Sequence, residues 1–556
     1  MATESVATTA RPADVGLKRE MGLIGATWAS ETSIIGSGWL FAPLTAALLI
    51  GGGAVLDWVI AGVVVIILAL CHAELGAMYP VSGGTARFPH FAFGSVAGIG
   101  FGFFSYVQAV TIAPIECFAF IQYASYYWPS IFDAKTGNVT GVGFVLTIVL
   151  MAIFTAVNFL AMRLFSRVNS TITWWKVAIP VLAIIVLLFK FHPGNFTAGG
   201  AGFMPGGVHG LFAALPLAGI IFAYSGFEQA DQLAGEIKDP GRNLPRAIII
   251  AVLIGTLIYT MLQVAFIGAL SPGQITHGLQ HINNPLIIAG PFAGVASLAG
   301  LAWLATLLRI DAFISPSGTG LIYVTGTSRV SYGLARNRYY PQVFSRTTAS
   351  GVPWVGLIFA FFVGLLFLLP FPSWHSLVGL ITAASVLMYA GAPLSLGAFR
   401  GQVPDANRPY RMPAAAVLAP VAFIVADLLI YFSGFEVVWK LGIVLVIGYV
   451  LIGIGMAFDQ NRPPLDWKSA VWLPAWLIGM GLISWQGQYA GVPSVDKHPQ
   501  PPTNTFNIPF WWDMVIVAAF SLVIYYWAMA TKLSTVEMTN LVERQSGEEP
   551  PERIHH

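Results

Sequence analysis

Charge is scarce in this chain. Asp, Glu, Lys and Arg make up 9% of 556 residues, against about 25% in soluble domains. So few charges cannot solvate a chain of this size, which excludes a soluble globular protein and a disordered hub. The net charge of +2 excludes a nucleic-acid binder, whose affinity comes from neutralising many phosphates. Cysteine is nearly absent. Cys71 and Cys117 both lie in apolar stretches, so a disulfide scaffold is excluded and the redox compartment is left open. No G-x-x-x-x-G-K-[S/T] loop occurs, so an ATP motor is not expected. Of ten histidines only His72 is near a helix interior, and His277 and His281 share a polar loop. No haem, metal or other cofactor is expected. The first 20 residues have no apolar core, so no cleavable signal peptide is expected.

What fills the chain is apolar: 56% hydrophobic residues and a mean hydropathy of +0.74. A helix needs about 20 apolar residues to cross a bilayer. Breaks at polar, proline-rich and charged segments divide the chain into about fourteen helical spans. They are 21–49, 55–79, 93–128, 140–161, 169–190, 209–234, 245–270, 295–330, 353–370, 376–399, 414–433, 437–457, 468–486 and 510–530. The alternation of a β-barrel is missing, so an all-α membrane protein is expected. Of the 27 Lys and Arg, only Lys135, Lys190, Lys440 and Lys497 fall on one side. Lys176 and Arg309 lie within spans, and the rest collect on the other side. That asymmetry predicts a multi-pass protein of the cell membrane with both termini cytoplasmic. Residues 1–20 and 532–556 read as polar tails.

Two spans are interrupted. The first carries Ile34-Ile35-Gly36-Ser37-Gly38-Trp39, and the sixth carries Phe222-Ala223-Tyr224-Ser225-Gly226-Phe227-Glu228. Gly36 and Gly226 occupy matching places in two five-helix halves, 21–190 and 209–399. A single G-x-G in a span is ordinarily a packing feature. A matched pair points to an inverted-repeat transporter with its site at the midplane. Unwinding frees N–H and C=O groups, tolerable at that depth only beside a cavity or ligand. Freed amides at a half-helix N-terminus attract a carboxylate, and freed carbonyls attract an ammonium. Glycine lets a ligand touch the backbone. One such pair of breaks makes a receptor for a small zwitterion.

With these motifs the chain resembles the amino acid–polyamine–organocation superfamily of permeases. Gly36-Ser37-Gly38, the run from Ala73 to Thr85, Phe222 to Glu228, Gly235 to Ala247 and Thr327-Ser328-Arg329-Val330 follow its pattern in order. The stretch from Asp311 to Gly320 is similar to bacterial permeases grouped with aspartate–proton symporters. The resemblance implies a LeuT-type fold with broken helices 1 and 6, two inverted five-helix repeats and alternating access. Helices 11 and 12 (414–457) would be peripheral, and helices 13 and 14 (468–530) are additions. It further implies that Gly36, Ser37 and Gly38 hold a substrate carboxylate. Ile34, Ile35, Phe222, Ala223 and Ser225 would supply carbonyls or line the pocket, with Tyr224 as wall or gate. Trp39 stands where a small aliphatic residue is usual, which affects the pocket's volume.

Coupling to protons is expected to centre on Lys176, in Thr173-Trp174-Trp175-Lys176 of the fifth span. In relatives a lysine here replaces a sodium ion between helices 1 and 8; the alternative is a side chain that snorkels to the interface. One proton crossing about 100 mV is worth about 2.3 kcal/mol. Ser317 and Thr319 on helix 8 are the expected partners. Glu116 is expected to shape the pocket or relay protons, and Glu31, a further proton-coupling candidate, to face either the intracellular path or a neighbouring helix. Glu228 is expected to support the unwound sixth helix. Glu74, Glu236 and Arg242 are expected to lock cytoplasmic loops. Arg309 and Asp311 are expected near the outer mouth, and Arg309 is the one arginine in a span able to meet a second carboxylate. The expected function is proton-coupled import of an amino acid or amine by a monomer or weak oligomer. The alternatives are an exchanger or facilitator of the same fold, or a nutrient sensor. An enzyme would need a catalytic cluster that the spans lack.

Overall fold

Runs of Leu, Ile, Val and Ala punctuated by glycine and proline fold almost entirely as helix. A computed structural model describes residues 21–81, 84–160, 162–200, 202–234, 237–348, 352–457, 464–489 and 510–546. The expected N-terminal tail (1–20), Glu236 and residues 547–556 lie outside them.

The first expected span is two helices, α1 (Leu23–Ile34) and α2 (Gly38–Ile50). Gly51, at φ 76°, turns the chain into α3 (Ala54–Met78). Next come α4 (Gly84–Phe93) and α5 (Ser95–Ala124). A hairpin of β1 (Phe132–Asp133) and β2 (Asn138–Val139) pairs Phe132 with Val139. It leads to α6 (Gly141–Leu160) and α7 (Met162–Leu188).

The sixth expected span is broken into α8 (Gly207–Leu217), α9 (Ile220–Ala223) and α10 (Gln229–Gln232). After α11 (Pro240–Gly268) lie the short α12 (Pro285–Ala289) and α13 (Pro291–Leu298). The expected span 295–330 is divided here. Gly300, at φ 77°, separates α13 from α14 (Ala302–Arg336). The remaining helices are α15 (Trp354–Leu368), α16 (Trp374–Gln402), α17 (Ala415–Phe432) and α18 (Phe435–Ala457). Then follow α19 (Trp467–Ala470), α20 (Trp472–Gln486), α21 (Phe510–Thr531) and α22 (Thr535–Ser546).

Among the described residues, eight helical stretches are long and apolar enough, by length and composition, to cross a membrane. Burial divides them. The apolar stretches of α5 and α16 are almost wholly inside the protein, whereas α6, α18 and α21 expose most of theirs. The first two therefore form the centre of the bundle, and the others present apolar side chains outward, as lipid-facing helices must.

The helices after residue 457 are tied to the bundle by buried polar contacts. Asp427 on α17 accepts from Trp476 Nε1 on α20 at 2.9 Å and from Ser521 Oγ on α21 at 2.6 Å. At the other end of α3, Glu74 takes a two-pronged bond from Arg400 at 2.8 and 2.6 Å and the Met412 N–H at 2.7 Å. Glu74 thereby locks the loop after α16, as expected of it, while Arg242 is exposed near the start of α11.

The C-terminal segment departs from the expected polar tail. Leu533 donates its N–H to Ala92 O at 3.1 Å, and Gln402 Nε2 donates to Leu533 O at 2.7 Å. The amphipathic α22 follows directly. Its short length and alternating polarity hid it among the charges.

Candidate functional site

The break between α1 and α2 has a specific backbone cause. Ile35 leaves the helical region at φ −81°, ψ 81°, and Gly36 N–H turns back to Ile34 O at 2.9 Å. In the sixth span Gly226, at φ 126°, sits where side chains are disfavoured. A Cβ on Gly226 would lie 2.7 Å from Ile34 N and Ser33 C. One on Gly38 would lie 2.7 Å from Ala223 Cβ, and one on Gly36 would lie 2.7 Å from Glu116 Oε1. The glycines are present because two interrupted helices and a carboxyl group meet there at contact distance.

Between them is a small cavity lined by Ser33, Ile34, Gly36, Gly38 and Glu116. Ile112, Phe222, Ser225, Thr319 and Tyr323 complete the lining. It has room for about one water molecule. The site is therefore closed around its own side chains.

Those side chains satisfy the freed backbone. The Ser37 N–H donates to both Glu116 oxygens, at 3.2 and 3.0 Å. Tyr259 Oη donates to Ile34 O at 2.8 Å and lies 3.1 Å from Ala223 O, joining the two breaks through one hydroxyl. Lys176 Nζ donates to Thr32 O at 2.5 Å and to Thr319 Oγ1 at 2.7 Å, and it is fully buried between α1 and α14. It does not snorkel. Thr32 and Thr173 hydroxyls share a hydrogen bond beside it. Glu228 accepts from Gly226 N–H at 2.8 Å, Tyr389 at 3.0 Å and Tyr323 at 3.2 Å, holding the unwound sixth span in place.

Several expected residues lie elsewhere. Tyr224 turns from the cavity and donates to Trp58 O on α3 at 2.8 Å. Trp39 packs on Phe292 with ring centroids 5.2 Å apart, so it does not set the cavity's volume. Ile35 is buried and contributes at most its carbonyl, 3.5 Å from Thr319 Oγ1. No hydrogen bond ties Ser317 to Lys176 among the described residues. Two positions from Thr319, it is on another helix face. Glu31 is fully buried with neither carboxyl oxygen hydrogen-bonded among the described residues. Arg309 and Asp311 do not pair. Arg309 stacks 3.6 Å from the Tyr126 ring centroid and donates to Ser297, away from the cavity lining.

Residues 21–452 match the protein family described as "Amino acid permease". The chain belongs to the amino acid permease family. This permease is 36% identical over 546 residues to the glutamate/serine transporter AimA of Bacillus subtilis (strain 168), covering 95% of this chain and 97% of that protein. To the aspartate-proton symporter of the same organism it is 35% identical over 509 residues, 90% and 94% of the two chains. To the branched-chain amino acid permease BcaP it is 26% identical over 448 residues, 78% and 92%. The family is one of membrane transporters, not enzymes. Its match ends before α20 and α21.

Three site residues of this permease escaped sequence reasoning. Tyr259 and Tyr323 sit in spans that read as plain apolar helix. Trp374, whose Nε1 donates to Ser37 Oγ at 2.8 Å, reads as an interfacial aromatic. No local pattern marks them, because their partners are remote in sequence: Tyr259 reaches Ile34 O and Ala223 O, Tyr323 reaches Glu228, and Trp374 reaches Ser37. His72 was also passed over, although its Nδ1 lies 2.9 Å from Asp231 Oδ2 in the buried junction of α3 and α10.

Proposed function

We propose that this permease is a secondary active transporter of the cell membrane that imports a small amino acid together with a proton. The reading includes fourteen spans, both termini in the cytoplasm and a LeuT-type arrangement. In that arrangement 21–190 and 209–399 are inverted five-helix repeats, 414–457 is peripheral and 468–530 is an addition. Substrate would bind where α1 meets α2 and α9 meets α10. Its carboxylate would take the amides of Gly36, Ser37 and Gly38. Its ammonium would take carbonyls from Ile34, Ile35, Phe222, Ala223 or Ser225, several of them now held by Tyr259.

The observation that carries the reading is Lys176. A single cation bridges Thr32 O beside the first break and Thr319 on α14, at 2.5 and 2.7 Å. Burying an ammonium there is costly unless it is hydrogen-bonded, and losing its proton would weaken the tie between the broken helix and α14. Protonation would thus bias which arrangement of α1 is favoured. The names of the relatives add support: one is an aspartate-proton symporter and another a glutamate/serine transporter. No arginine lines the cavity, while Ser33, Ser225 and Thr319 do. That lining fits a small hydroxylated substrate such as serine better than a dicarboxylate.

The test is uptake of serine, aspartate and glutamate into proteoliposomes, with and without an inward proton gradient. We expect gradient-driven accumulation of at least one of them, lost in Lys176→Ala. Equal uptake with and without the gradient would make the protein an exchanger or facilitator instead.

A further inference from the structure

Asp311 stands apart from the site just described, and its surroundings are unusual for a carboxyl group inside a membrane protein. It is fully buried on α14. Its Oδ1 accepts from Trp175 Nε1 on α7 at 2.9 Å and from Ser315 Oγ at 2.8 Å. Its Oδ2 is buried with no hydrogen-bond partner among the described residues. Trp175 is the neighbour in sequence of Lys176, so one helix presents an indole to Asp311 and an ammonium to Thr319. On α14 the positions 311, 315 and 319 recur every four residues and line one face. Asp311, Ser315 and Thr319 therefore form a polar stripe of about two turns that ends at the Lys176 ammonium. Within that stripe Pro316 has no N–H and leaves the Ala312 carbonyl without its helical donor. A Cβ at Gly318 would press on Ile172 Cγ2 at 3.0 Å, while meeting Lys176 Nζ only at ordinary contact, 3.5 Å.

A structural carboxylate would use both oxygens, because an orphaned acceptor at this depth is expensive. A carboxyl group that gains and loses a proton needs one oxygen free to carry it. We propose that Asp311 is a second proton-carrying group, which takes a proton on Oδ2 from the side of the α14 N-terminus and passes it along the stripe to Lys176. The neutral acid then returns to carboxylate as the Lys176 amine becomes an ammonium, so one proton moves and the net charge of the pair is unchanged. The charged and titratable groups around Asp311 are Lys176 on α7 and Tyr123 on α5, with Arg309 two residues away on α14 itself.

This inference rests on the proton-symport reading, and the experiment separates the two. Wild type and Asp311→Asn are reconstituted with the membrane potential clamped at zero and an inward gradient of about one pH unit. One proton per substrate then supports about ten-fold accumulation. Serine uptake, serine counterflow without a gradient, and lumenal pH from a trapped dye are followed together. Wild type should reach about ten-fold accumulation with acidification, and Asp311→Asn about one-fold without it, with counterflow retained. Asp311→Glu should restore part of both. Accumulation by Asp311→Asn equal to wild type overturns the inference alone. Loss of counterflow together with accumulation makes Asp311 a structural residue and also overturns it. If wild type accumulates none of serine, aspartate and glutamate, the symport reading falls and this falls with it; where it accumulates only one of the acids, the same comparison is made with that substrate. Should Asp311→Asn fail to fold, Trp175→Phe and Ser315→Ala remove the bonds to Oδ1 singly. Each should shift the pH midpoint of accumulation with counterflow unchanged, and no shift in either refutes the proposal.

Discussion

Replacing Gly226 by alanine tests the physical basis of the site most directly. The residue sits at φ 126°, a region in which a side chain costs about 1–3 kcal/mol. The added Cβ would stand 2.7 Å from Ile34 N, Ser33 C and Ser33 Cβ. Two of these are backbone atoms that cannot swing aside, and overpacking of this kind costs about 1–3 kcal/mol more. The sum, about 2–6 kcal/mol before relaxation, falls on the relative placement of the two breaks. At about 1.4 kcal/mol per decade, substrate affinity should drop by at least about thirty-fold. Gly255→Ala is the control. It lies beside the same Ile34, but its Cβ would meet Ile34 Cγ2 at 3.5 Å, an ordinary contact. In the middle of α11 that change should be neutral or stabilising by up to about 1 kcal/mol. The assay is thermal unfolding of purified protein with and without serine. Ligand at 100 times its Kd stabilises by about 2.7 kcal/mol, a shift that should fall to about 0.9 kcal/mol or less in Gly226→Ala and persist in Gly255→Ala. A Gly226→Ala protein that binds serine as tightly as wild type would show that the breaks do not need to meet, and the reasoning would fail.

Tyr259→Phe removes the hydroxyl that serves Ile34 O and Ala223 O. Leaving those carbonyls bare should cost about 1–3 kcal/mol of stability, read as a lower melting temperature that Tyr224→Phe, which bares only the carbonyl of Trp58, should not match. Ser534→Ala addresses α22, where the Ser534 hydroxyl and N–H both donate to Glu537 Oε2, at 2.7 and 2.9 Å. Those bonds hold the Glu537 carboxyl below its ordinary range. The cap is therefore complete above the ordinary glutamate pKa and is lost as pH falls through the depressed value. Amide exchange in 535–546 should quicken in Ser534→Ala at neutral pH, by the equivalent of about 1 kcal/mol, while serine counterflow is unchanged.

Which parts of this were legible in the sequence follows from the range over which each part acts. The span pattern was legible because crossing a bilayer imposes about 20 apolar residues at a time, and every expected span contains helix. The two breaks were legible because Gly36, Gly38 and Gly226 sit among residues that otherwise favour unbroken helix. Lys176 was legible because an ammonium amid Ile, Trp and Val has few reasons to be there. Boundaries were not: Gly300 divides a run whose hydropathy is continuous, and α22 is too short and too polar to register. The setting of Asp311 was not legible for a different reason. Two residues from Arg309, it points to a different face, and only the packing of α7 against α14 reveals Trp175 as its partner beside Ser315, one turn along the same helix.

The closed cavity carries one further consequence for the proposed transport cycle. Each freed backbone group described above already has a partner: Ser37 N–H has Glu116, Gly226 N–H has Glu228, Ile34 O and Ala223 O have Tyr259, and Thr32 O has Lys176. An unpartnered buried group costs about 1–3 kcal/mol, so helices interrupted twice at membrane depth are tolerated empty because the protein supplies stand-ins. A zwitterion arriving at Ser37 then exchanges one carboxylate for another. Hydrogen bonds broken and made nearly cancel, so binding gains little from them and affinity stays modest, as release on the far side of the membrane requires. What does not cancel is charge. On the proposed cycle, Glu116 would have to give up the Ser37 amide, its one backbone donor among the described residues, as substrate enters. Substrate entry would thereby be linked to proton uptake at one pair of oxygens.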